Sequence, residues 1–318
     1  MKQKRKYFIR AILLAFLIGI LFFVIRGFYY YNQYKPHLLL KENGENALLM
    51  SSGEKVVLWG LVGSVDLSEN EASVIYLRKV GGFGKDKEVV EMDLETQDVE
   101  VLVTADELRT VTRSIRAKKG LAYEETEERI RSVKYVPDTD AISFIWENSL
   151  YMMDLDSKEV TRIWKKIRDI EAVNVTEGRE YKWLDARNVV LWIRKEDRVT
   201  VYQYDILERD KRFILHGNDV SANGNVLVSY QASGTISDFW ITNHNFYFFD
   251  LESRKQTREY VYTFHGIMRG AEEVVFEQYE DGVLIWGEEN QNYYYIYDSK
   301  RDVAVRIWLP GKKIAAIL

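Results

Sequence analysis

The residues of this chain that could do chemistry are four histidines, a series of regularly spaced aspartates and a few closely paired carboxylates. The chain contains no cysteine, so it has no thiolate nucleophile, disulfide or cysteine metal site. A serine nucleophile elbow needs the pattern G-x-S-x-G, which does not occur. The histidines do not stand at metal-ligand spacing from one another; they are His37, His216, His244 and His265. These patterns predict no catalytic, cofactor-binding or metal-binding residue.

Two other patterns resemble ligand sites but are incomplete. The carboxylate pairs Asp138/Asp140 and Asp154/Asp156 offer oxygen ligands for Ca²⁺, but neither has the spacing of a full calcium loop. The run Gly81–Asp86 contains glycines and a lysine, yet it lacks the G-x-x-x-x-G-K-[ST] form of a phosphate-binding loop. We interpret the carboxylate pairs as turn residues and the glycine run as a hairpin loop.

An aspartate recurs at the end of five predicted strands. The five residues are Asp93, Asp154, Asp205, Asp250 and Asp298. Because an aspartate carboxylate accepts hydrogen bonds from the backbone that follows it, each one predicts a tight turn between two strands. The intervals of 45 to 61 residues between them are typical of propeller blades. A residue that recurs once in every unit has a structural role in this interpretation, so these carboxylates are not expected to be catalytic.

The strands between these turns define the predicted fold class. An apolar strand that ends on an aromatic residue lies upstream of each aspartate; these residues are Tyr76, Trp146, Trp192, Tyr230 and Trp286. With only three prolines to interrupt the ladders, the sequence predicts an all-β fold. This is a β-propeller of five to six four-stranded blades, preceded by one N-terminal transmembrane helix. The predicted blades span about 54–103, 130–166, 180–216, 218–262 and 264–309.

Two segments at opposite ends of the chain are left over from this repeat. His37–Met50 and Lys312–Leu318 are short and apolar, and circular propellers often close by pairing strands from the two chain ends. We expect these segments to pair, either as a sixth blade or as additions to the first and last. A further stretch, about 104–130, is predicted to be a short helical insertion, because Thr104–Glu107 forms a capping box. A solvated connector is favoured over a partner-binding role for it.

The N-terminal segment is basic and then apolar. Lys2, Lys4, Arg5, Lys6 and Arg10 precede or flank the fifteen-residue apolar run Ala11–Ile25. Extended by its aromatic flanks, this run reaches the roughly 20 residues that cross a bilayer. Because the basic side stays inside, residues 1–34 are predicted to be a cytoplasmic tail and an uncleaved signal anchor, and residues 35–318 an extracytoplasmic domain.

Charge limits the partners of that domain. The chain carries −5 overall and its first 34 residues carry six positive charges and no negative ones, so residues 35–318 carry −11. An acidic domain argues against nucleic acid as a partner. An exported domain without disulfides fits a bacterial cell membrane, with the bulk of the chain outside.

The repeats resemble the TolB-like and dipeptidyl-peptidase-N-terminal-like β-propeller class. Blades of that class carry an S-P-D-G-like turn, an apolar strand and then a strand ending in aspartate. Val136–Asp140 and Ser221–Asn225 are similar to the first turn, and the five aspartate strands are similar to the second feature. The resemblance implies the fold and no catalytic residue. In peptidases of this class the chemistry lies in a separate hydrolase domain after the propeller, and this chain ends where the fifth predicted blade ends.

These observations predict a membrane-tethered binding or scaffold module without catalysis or cofactor. Its expected partners are the membrane, through a single-pass anchor, and an envelope protein or polysaccharide. Two alternatives are a sensory or regulatory subunit coupled through the membrane helix, and a carboxylate-based enzyme acting on cell-surface polysaccharide. Exposed aromatic residues that suit sugar or peptide contacts are expected at Phe239–Ile241 and Tyr293–Tyr295.

Overall fold

The computed structural model describes most of the chain and divides it into two compact units. Unit 1 consists of Met1–Lys55 and Val274–Ile317, and unit 2 consists of Val56–Glu273. The described residues are 2–317 except 69, 81–85, 119–129, 147–148, 166–180, 196–197, 218, 224–225, 234–240, 251–254, 266–273, 281–282, 289–290, 299 and 302.

Unit 1 begins with a long apolar helix, α1 (Lys2–Gln33). The side chains of its large apolar residues between Ile12 and Ile25 are exposed wherever they are described. Over Ile12–Gln33 it is long and apolar enough to cross a membrane, and it is the one such helix in the described part of the chain. A helix with apolar residues on every side has no polar face to turn toward water. This segment therefore has the composition of a membrane anchor or a signal sequence.

Two four-stranded antiparallel sheets complete unit 1, except that Val56 and Val57 of β3 (Lys55–Val57) are counted in unit 2. The first has the strand order β24-β1-β2-β3 and the second the order β20-β21-β22-β23. The strands are β1 (Leu38–Glu42), β2 (Glu45–Leu49), β3 (Lys55–Val57), β20 (Val274–Glu280), β21 (Val283–Glu288), β22 (Tyr293–Asp298), β23 (Val303–Trp308) and β24 (Lys313–Ile317). Asn43 and Gly44, both with positive φ, join β1 to β2. An Asn-Gly pair in this conformation forms the tight turn that matches the twist of a hairpin.

The predicted pairing of the two chain ends is confirmed. In the β1–β24 ladder Leu38 lies opposite Ile317 and Lys41 lies opposite Lys313. Leu38, Ile314 and Ile317 are fully buried, so burial of apolar side chains drives this long-range pairing. These strands form a sheet of their own, and the described chain has six four-stranded sheets in all.

Unit 2 contains the other four sheets, each a meander of consecutive strands. The first sheet consists of β4 (Leu61–Leu67), β5 (Ser73–Val80), β6 (Asp86–Asp93) and β7 (Val99–Val103), and the second of β8 (Ile130–Tyr135), β9 (Ala141–Trp146), β10 (Ser149–Asp154) and β11 (Val160–Trp164). The third consists of β12 (Tyr181–Trp183), β13 (Asn188–Lys195), β14 (Arg198–Asp205) and β15 (Asp210–Gly217), and the fourth of β16 (Asp219–Asn223), β17 (Val226–Ser233), β18 (Ile241–Asp250) and β19 (Lys255–His265). The predicted repeats match these groups closely. One boundary was wrong: the first repeat does not begin at 54, because β3 belongs to the sheet of β1 and β2.

The recurring aspartates make the turns that the sequence predicts. Oδ1 of Asp93 accepts hydrogen bonds from the backbone N–H of Glu95 and of Thr96, at 3.0 and 2.7 Å. Asp154, Asp205 and Asp298 accept corresponding bonds from the residues that follow them. The residue four positions after Asp93, Asp154 and Asp205 adopts positive φ in each case; these residues are Gln97, Lys158 and Arg209. The turn after Asp250 lies outside the described residues.

A second helix, α2 (Ala105–Lys118), follows β7 as the capping box predicts. The backbone N–H and the hydroxyl of Thr104 both donate to Oε2 of Glu107 at 2.8 Å, and the N–H of Glu107 donates to Oγ1 of Thr104 at 3.3 Å. Leu108, Val111 and Ile115 recur at helical spacing and are buried in a core shared with β5, β6, β8, β9 and β10. The helix is thus packed on unit 2 and is not only a solvated connector.

Candidate functional site

A groove of about 1070 Å³ runs beside α2 in unit 2. One wall is the helix, which contributes Asp106, Glu107, Thr110 and Ser114. Val111 and Ile115 of the buried stripe also line the groove, so this wall has polar side chains next to apolar ones. The volume is in the range of sites that take a small molecule or a short peptide segment.

The other wall of the groove carries most of its positive charge. It is formed by the β10–β11 hairpin and by the ends of β14 and β15, and its cationic residues are Lys158, Arg162, Lys165 and Arg209. Three acidic residues, Asp106, Glu107 and Glu159, also line the groove. The groove therefore has a small excess of positive charge on a domain that is acidic overall, which favours an acidic or polar ligand group.

Lys158 joins the two walls. Its ammonium group donates to the backbone oxygen of Leu102 at 3.1 Å and lies 3.9 Å from Oε1 of Glu107. The backbone hydrogen bond with Thr104, together with its hydroxyl and the charge of Lys158, lowers the pKa of the Glu107 carboxyl. Glu107 therefore stays ionised at neutral pH and holds the helix start to the hairpin.

A cluster of aromatic side chains continues from the groove across β11, β14 and β15. Trp164 contacts Tyr204 edge-on at 5.0 Å between ring centroids and stacks on Tyr202 at 6.5 Å. Phe213 meets the Tyr202 ring at 6.1 Å and is 53% exposed. Lys211 lies 4.3 Å from the Tyr202 ring centroid, a cation–π contact. Aromatic faces beside cations provide a platform for a peptide or a sugar, at low entropic cost for the protein.

A separate polar cluster joins the first two sheets of unit 2. Asp66 of β4 accepts a hydrogen bond from the backbone N–H of Tyr135 at 3.0 Å and lies 3.5 Å from the ammonium of Lys134. Burial raises the pKa of Asp66, against the opposing effects of Lys134 and of the Tyr135 N–H. About a quarter of the Asp66 side chain is accessible to solvent.

Glu91 occupies the other side of Tyr135. Its Oε1 accepts hydrogen bonds from the Tyr135 hydroxyl and from Oγ of Ser73, both at 2.6 Å. Burial and the hydrogen bond to Glu91 raise the pKa of Tyr135, so its hydroxyl remains a donor throughout the physiological range. Each carboxylate is occupied by donors from a neighbouring strand, and the arrangement stabilises the contact between sheets.

Of the four histidines weighed for catalysis, two have described side chains, and these two belong to different units. His37 is buried in unit 1, where its Nδ1 accepts a hydrogen bond from the N–H of Ser51 at 3.3 Å. His216 is an exposed residue of unit 2 and its Nδ1 lies 3.0 Å from the hydroxyl of Thr200. The side chains of His244 and His265 lie outside the described residues. Within the described residues no three His, Asp or Glu side chains converge as a metal site would require.

The expected aromatic contact sites were placed incorrectly in part. Tyr294 and Tyr295 are buried in β22 and only Tyr293 of that run is partly accessible. Phe239 and Trp240 lie outside the described residues. The groove and the cluster of Trp164, Tyr202 and Phe213 were not predicted, because their residues come from strands whose spacing in the sequence gives no sign that they meet.

Comparison with solved structures identifies the fold. The chain is similar to TolB from Acinetobacter baumannii, with a TM-score of 0.54 and 12% identity, over 87% of this chain and 64% of that chain. It is also similar to a chain of a nidogen–laminin complex, with a TM-score of 0.51 and 10% identity, over 88% of this chain and 97% of that chain. The chain thus spans less than two thirds of the TolB chain. No family model and no curated protein matches the sequence. The fold is therefore an all-β propeller similar to that of TolB, preceded by one apolar helix.

Proposed function

We propose that this chain is a membrane-tethered, extracytoplasmic binding module that holds a segment of a protein partner in the groove beside α2 and does not catalyse a reaction. The single observation that carries this proposal is the groove itself. It combines four cations, a packed helix and an adjoining aromatic cluster in one accessible surface of unit 2. Aromatic residues and arginine are enriched where proteins bind one another, and two of the four cations are Arg162 and Arg209.

The tether is supported by charge and length. The residues before the apolar run are basic, and α1 continues without a break to Gln33. A basic flank is retained on the cytoplasmic side, so the strands that follow lie outside the membrane in this proposal. The exit Val24–Tyr29 is bulky apart from Gly27 and lacks the A-x-A-like pair of small residues of a cleavage site, which supports residues 1–34 as a retained anchor and residues 35–318 as the external domain.

A TolB-like propeller suggests a protein-binding module, and the second similar structure comes from a complex of two proteins. An enzymatic role is less well supported. Asp66 and Glu91 are both engaged by donors from neighbouring strands, so neither is positioned as a free acid or base in the way that a glycosidase pair would be. A polysaccharide ligand in the same groove is an outcome of the experiment below.

The proposal is tested by photo-crosslinking in cells. A photoreactive phenylalanine analogue is placed at Phe213 or at Arg162 in the full-length chain, and at Glu95 as a control on an exposed turn of the same unit. We expect an adduct of the same mass from Phe213 and Arg162 and none from Glu95. Adding Arg162→Glu to the Phe213 probe should reduce the adduct at least several-fold, because the groove loses its excess positive charge.

Two results would contradict the proposal. Equal adducts from Glu95 and Phe213 would mean that the groove has no preference for the partner. Adducts whose added mass is removed by glycan-degrading enzymes would assign the groove to a polysaccharide, because these enzymes leave an attached protein partner in place. Circular dichroism of each variant shows whether it is still folded, so that loss of an adduct can be attributed to the surface.

A regulatory subunit is a second candidate, and the contact of Tyr30 with Asp298 favours it. Because the end of α1 is buried in unit 1, displacement of the helix would be transmitted to β22 and β23. The basic residues before the span are too few to fold as an output domain. Deletion of residues 2–6 with export preserved should therefore leave any response intact; loss of the response would contradict coupling through the helix.

A further inference from the structure

The direction in which α1 runs along unit 1 determines which end of the unit lies nearer the N-terminus of the helix. A Cβ on Gly27 would lie 3.8 Å from Cγ1 of Val305, and the Tyr30 hydroxyl reaches Asp298. Asp298 lies opposite Val303 in the β22–β23 ladder. From Gly27 to Tyr30 the helix therefore runs from Val305 toward Val303, antiparallel to β23.

The chain after the helix confirms this direction. Leu38 begins β1 opposite Ile317, and β1 then returns so that Lys41 lies opposite Lys313. Trp308 is the last residue of β23 and Lys313 is the first residue of β24, and one short turn connects them. The helix residues before Gly27 therefore extend past the end of unit 1 that carries Trp308 and the β23–β24 turn.

The membrane boundary falls at the same level if α1 is the tether, the premise taken from the proposed function. The apolar run Ala11–Ile25, together with Tyr7–Ile9 and Arg10 before it, spans nineteen residues, and as a helix it measures about 28 Å, close to the thickness of a bilayer core. Two residues later, at Gly27, the helix lies beside β23, since a Cβ added to this glycine would be 3.8 Å from Cγ1 of Val305. Trp308 lies about 10 Å beyond Val305 along the strand, on the side of the bilayer.

The chemistry of this end suits a lipid surface. Trp308 is 57% exposed, contacts the ring of Tyr293 at 5.4 Å and has the Arg306 guanidinium 5.4 Å from its centroid. Aromatic rings beside basic side chains are typical of the membrane–water interface. Residues 303–318 include Arg306, Lys312 and Lys313 and no acidic residue, in a domain that carries a net negative charge.

Neighbouring acidic groups offset this charge only in part: the pKa of the Glu42 carboxyl is lowered by the hydrogen bond from Lys55 and, in addition, by the charge of Lys312, which lies close to it. On β1, Lys41 is exposed and lies opposite Lys313. Glu42 forms an ion pair with Lys55, which leaves Glu45 as the exposed acid of the β1–β2 hairpin. The tip itself is rigid: Pro310 and Gly311, with Gly311 at φ 73°, occupy the centre of a turn in which the N–H of Lys312 donates to the oxygen of Leu309 at 3.1 Å.

We propose that the segment Arg306–Lys313 is a second membrane contact, in which Trp308 and the Pro310–Gly311 tip enter the headgroup layer and Arg306, Lys312 and Lys313 bind anionic phospholipids. Each basic group near such a surface contributes modestly, and the attraction falls off within the screening length of the salt. Together with the buried end of α1, this contact would hold unit 1 in one orientation on the membrane.

The absence of native cysteine allows single spin labels in the full-length protein. We place one at Pro310→Cys on the tip, one at Lys300→Cys at the opposite end of the β22–β23 hairpin, and one at Ile18→Cys in the exposed apolar part of α1. The protein is reconstituted into vesicles of phosphatidylcholine and phosphatidylglycerol. Collision of each label with oxygen, which enters lipid, is compared with collision with a water-soluble nickel chelate.

We expect labels at Ile18→Cys and Pro310→Cys to favour oxygen and the label at Lys300→Cys to favour nickel. Changing Lys312→Gln and Lys313→Gln together should reduce the lipid signal at Pro310→Cys at least twofold, and vesicles of phosphatidylcholine alone should have the same effect. A water-exposed label at Pro310→Cys beside a lipid-exposed label at Ile18→Cys would overturn the second contact and leave the tether intact.

Two further outcomes would also overturn the inference. If nickel reaches the label at Ile18→Cys, α1 does not lie in the lipid. That result would contradict the membrane tether and the orientation on which the second contact depends. If the spectrum of the Pro310→Cys label broadens through coupling between labels as the ratio of protein to lipid increases, a second copy of the chain covers this end.

Discussion

Tyr30 and Asp298 are 268 residues apart in the chain, yet the hydroxyl of Tyr30 donates a hydrogen bond to Oδ2 of Asp298 at 3.1 Å. Arg301 donates to the same oxygen at 2.6 Å. Tyr30 is only 4% exposed and packs in the core formed by β1, β21, β22, β23 and β24. The last turns of α1 are therefore part of unit 1, and the helix is attached to the sheets by packing as well as by the chain.

Tyr30→Phe should destabilise unit 1 by about 1 kcal/mol, because it removes one hydrogen bond and keeps the ring in the core. The carboxylate of Asp298 retains Arg301 and two backbone donors, so the cost should not be larger. The measurement is denaturant unfolding of the full chain in detergent. Tyr29→Phe is the matched control, since Tyr29 is 53% exposed and its change should leave stability within a few tenths of a kcal/mol. Equal effects of the two changes would contradict a specific role for the bond.

The pKa of Asp298 should make part of the stability of unit 1 depend on pH. Burial raises the pKa of this carboxyl, but hydrogen bonds from Arg301 and Tyr30 outweigh burial and hold it below its usual value. A lowered folded pKa contributes stability above the unfolded value of about 3.9, and that contribution is lost as pH falls through the folded pKa. Wild type should therefore lose more stability between neutral pH and acid than Asp298→Asn. Parallel stability curves for the two proteins would exclude this linkage.

The parts of the fold that follow from local chemistry were predictable from the sequence. An aspartate needs only its own next few backbone groups to form a turn, so Asp93, Asp154 and Asp205 identified the strand ends. The capping box of Thr104 and Glu107 is equally local, and it correctly set the start of α2. The pairing of the chain ends was also predictable, because two apolar segments with exposed edges have few other partners.

The candidate site could not be predicted in the same way. Lys158 reaches Leu102 across 56 residues, and the Asp66 carboxyl meets the N–H of Tyr135 across 69. Such pairs depend on how sheets pack, and neither partner carries a sequence pattern that names the other. Lys158 also served two roles at once: it occupies the strained position of a turn and lines the groove. Only the first role could have been inferred from its distance to Asp154.

Thr104→Ala should destabilise the start of α2 by about 1 kcal/mol, because the first turn of the helix loses its side-chain acceptor. Hydrogen exchange of the amides of α2 should become faster, and capture of a partner at the adjoining groove should weaken. Thr110→Ala is a control for the exchange measurement, with the same chemistry on the same helix; it is not a control for capture, because Thr110 lines the groove. Thr110 is exposed and its hydroxyl bonds only to the oxygen of Asp106, so this change should be neutral or slightly stabilising. Faster exchange in both variants would argue that the cap is not responsible.

The positive φ of Gln97 should make glycine the better residue at this position. Gln97 has a φ of 62° and its N–H donates to the oxygen of Asp93 at 2.9 Å, a bond that any residue except proline can make. The left-handed conformation costs a residue with a Cβ about 1–2 kcal/mol, and glycine gives back roughly 0.5–1 kcal/mol through its freer unfolded state. Gln97→Gly should therefore stabilise unit 2 by about 0.5 kcal/mol, and Gln97→Val, which is β-branched, should destabilise it.

Lys158→Gly provides the contrast, because it relieves the same strain at φ 56° but removes the contacts with Leu102 and Glu107, so its net effect should be a loss of stability. Denaturant midpoints of the three variants test the order, and a valine variant as stable as the glycine variant would show that the strain is absent.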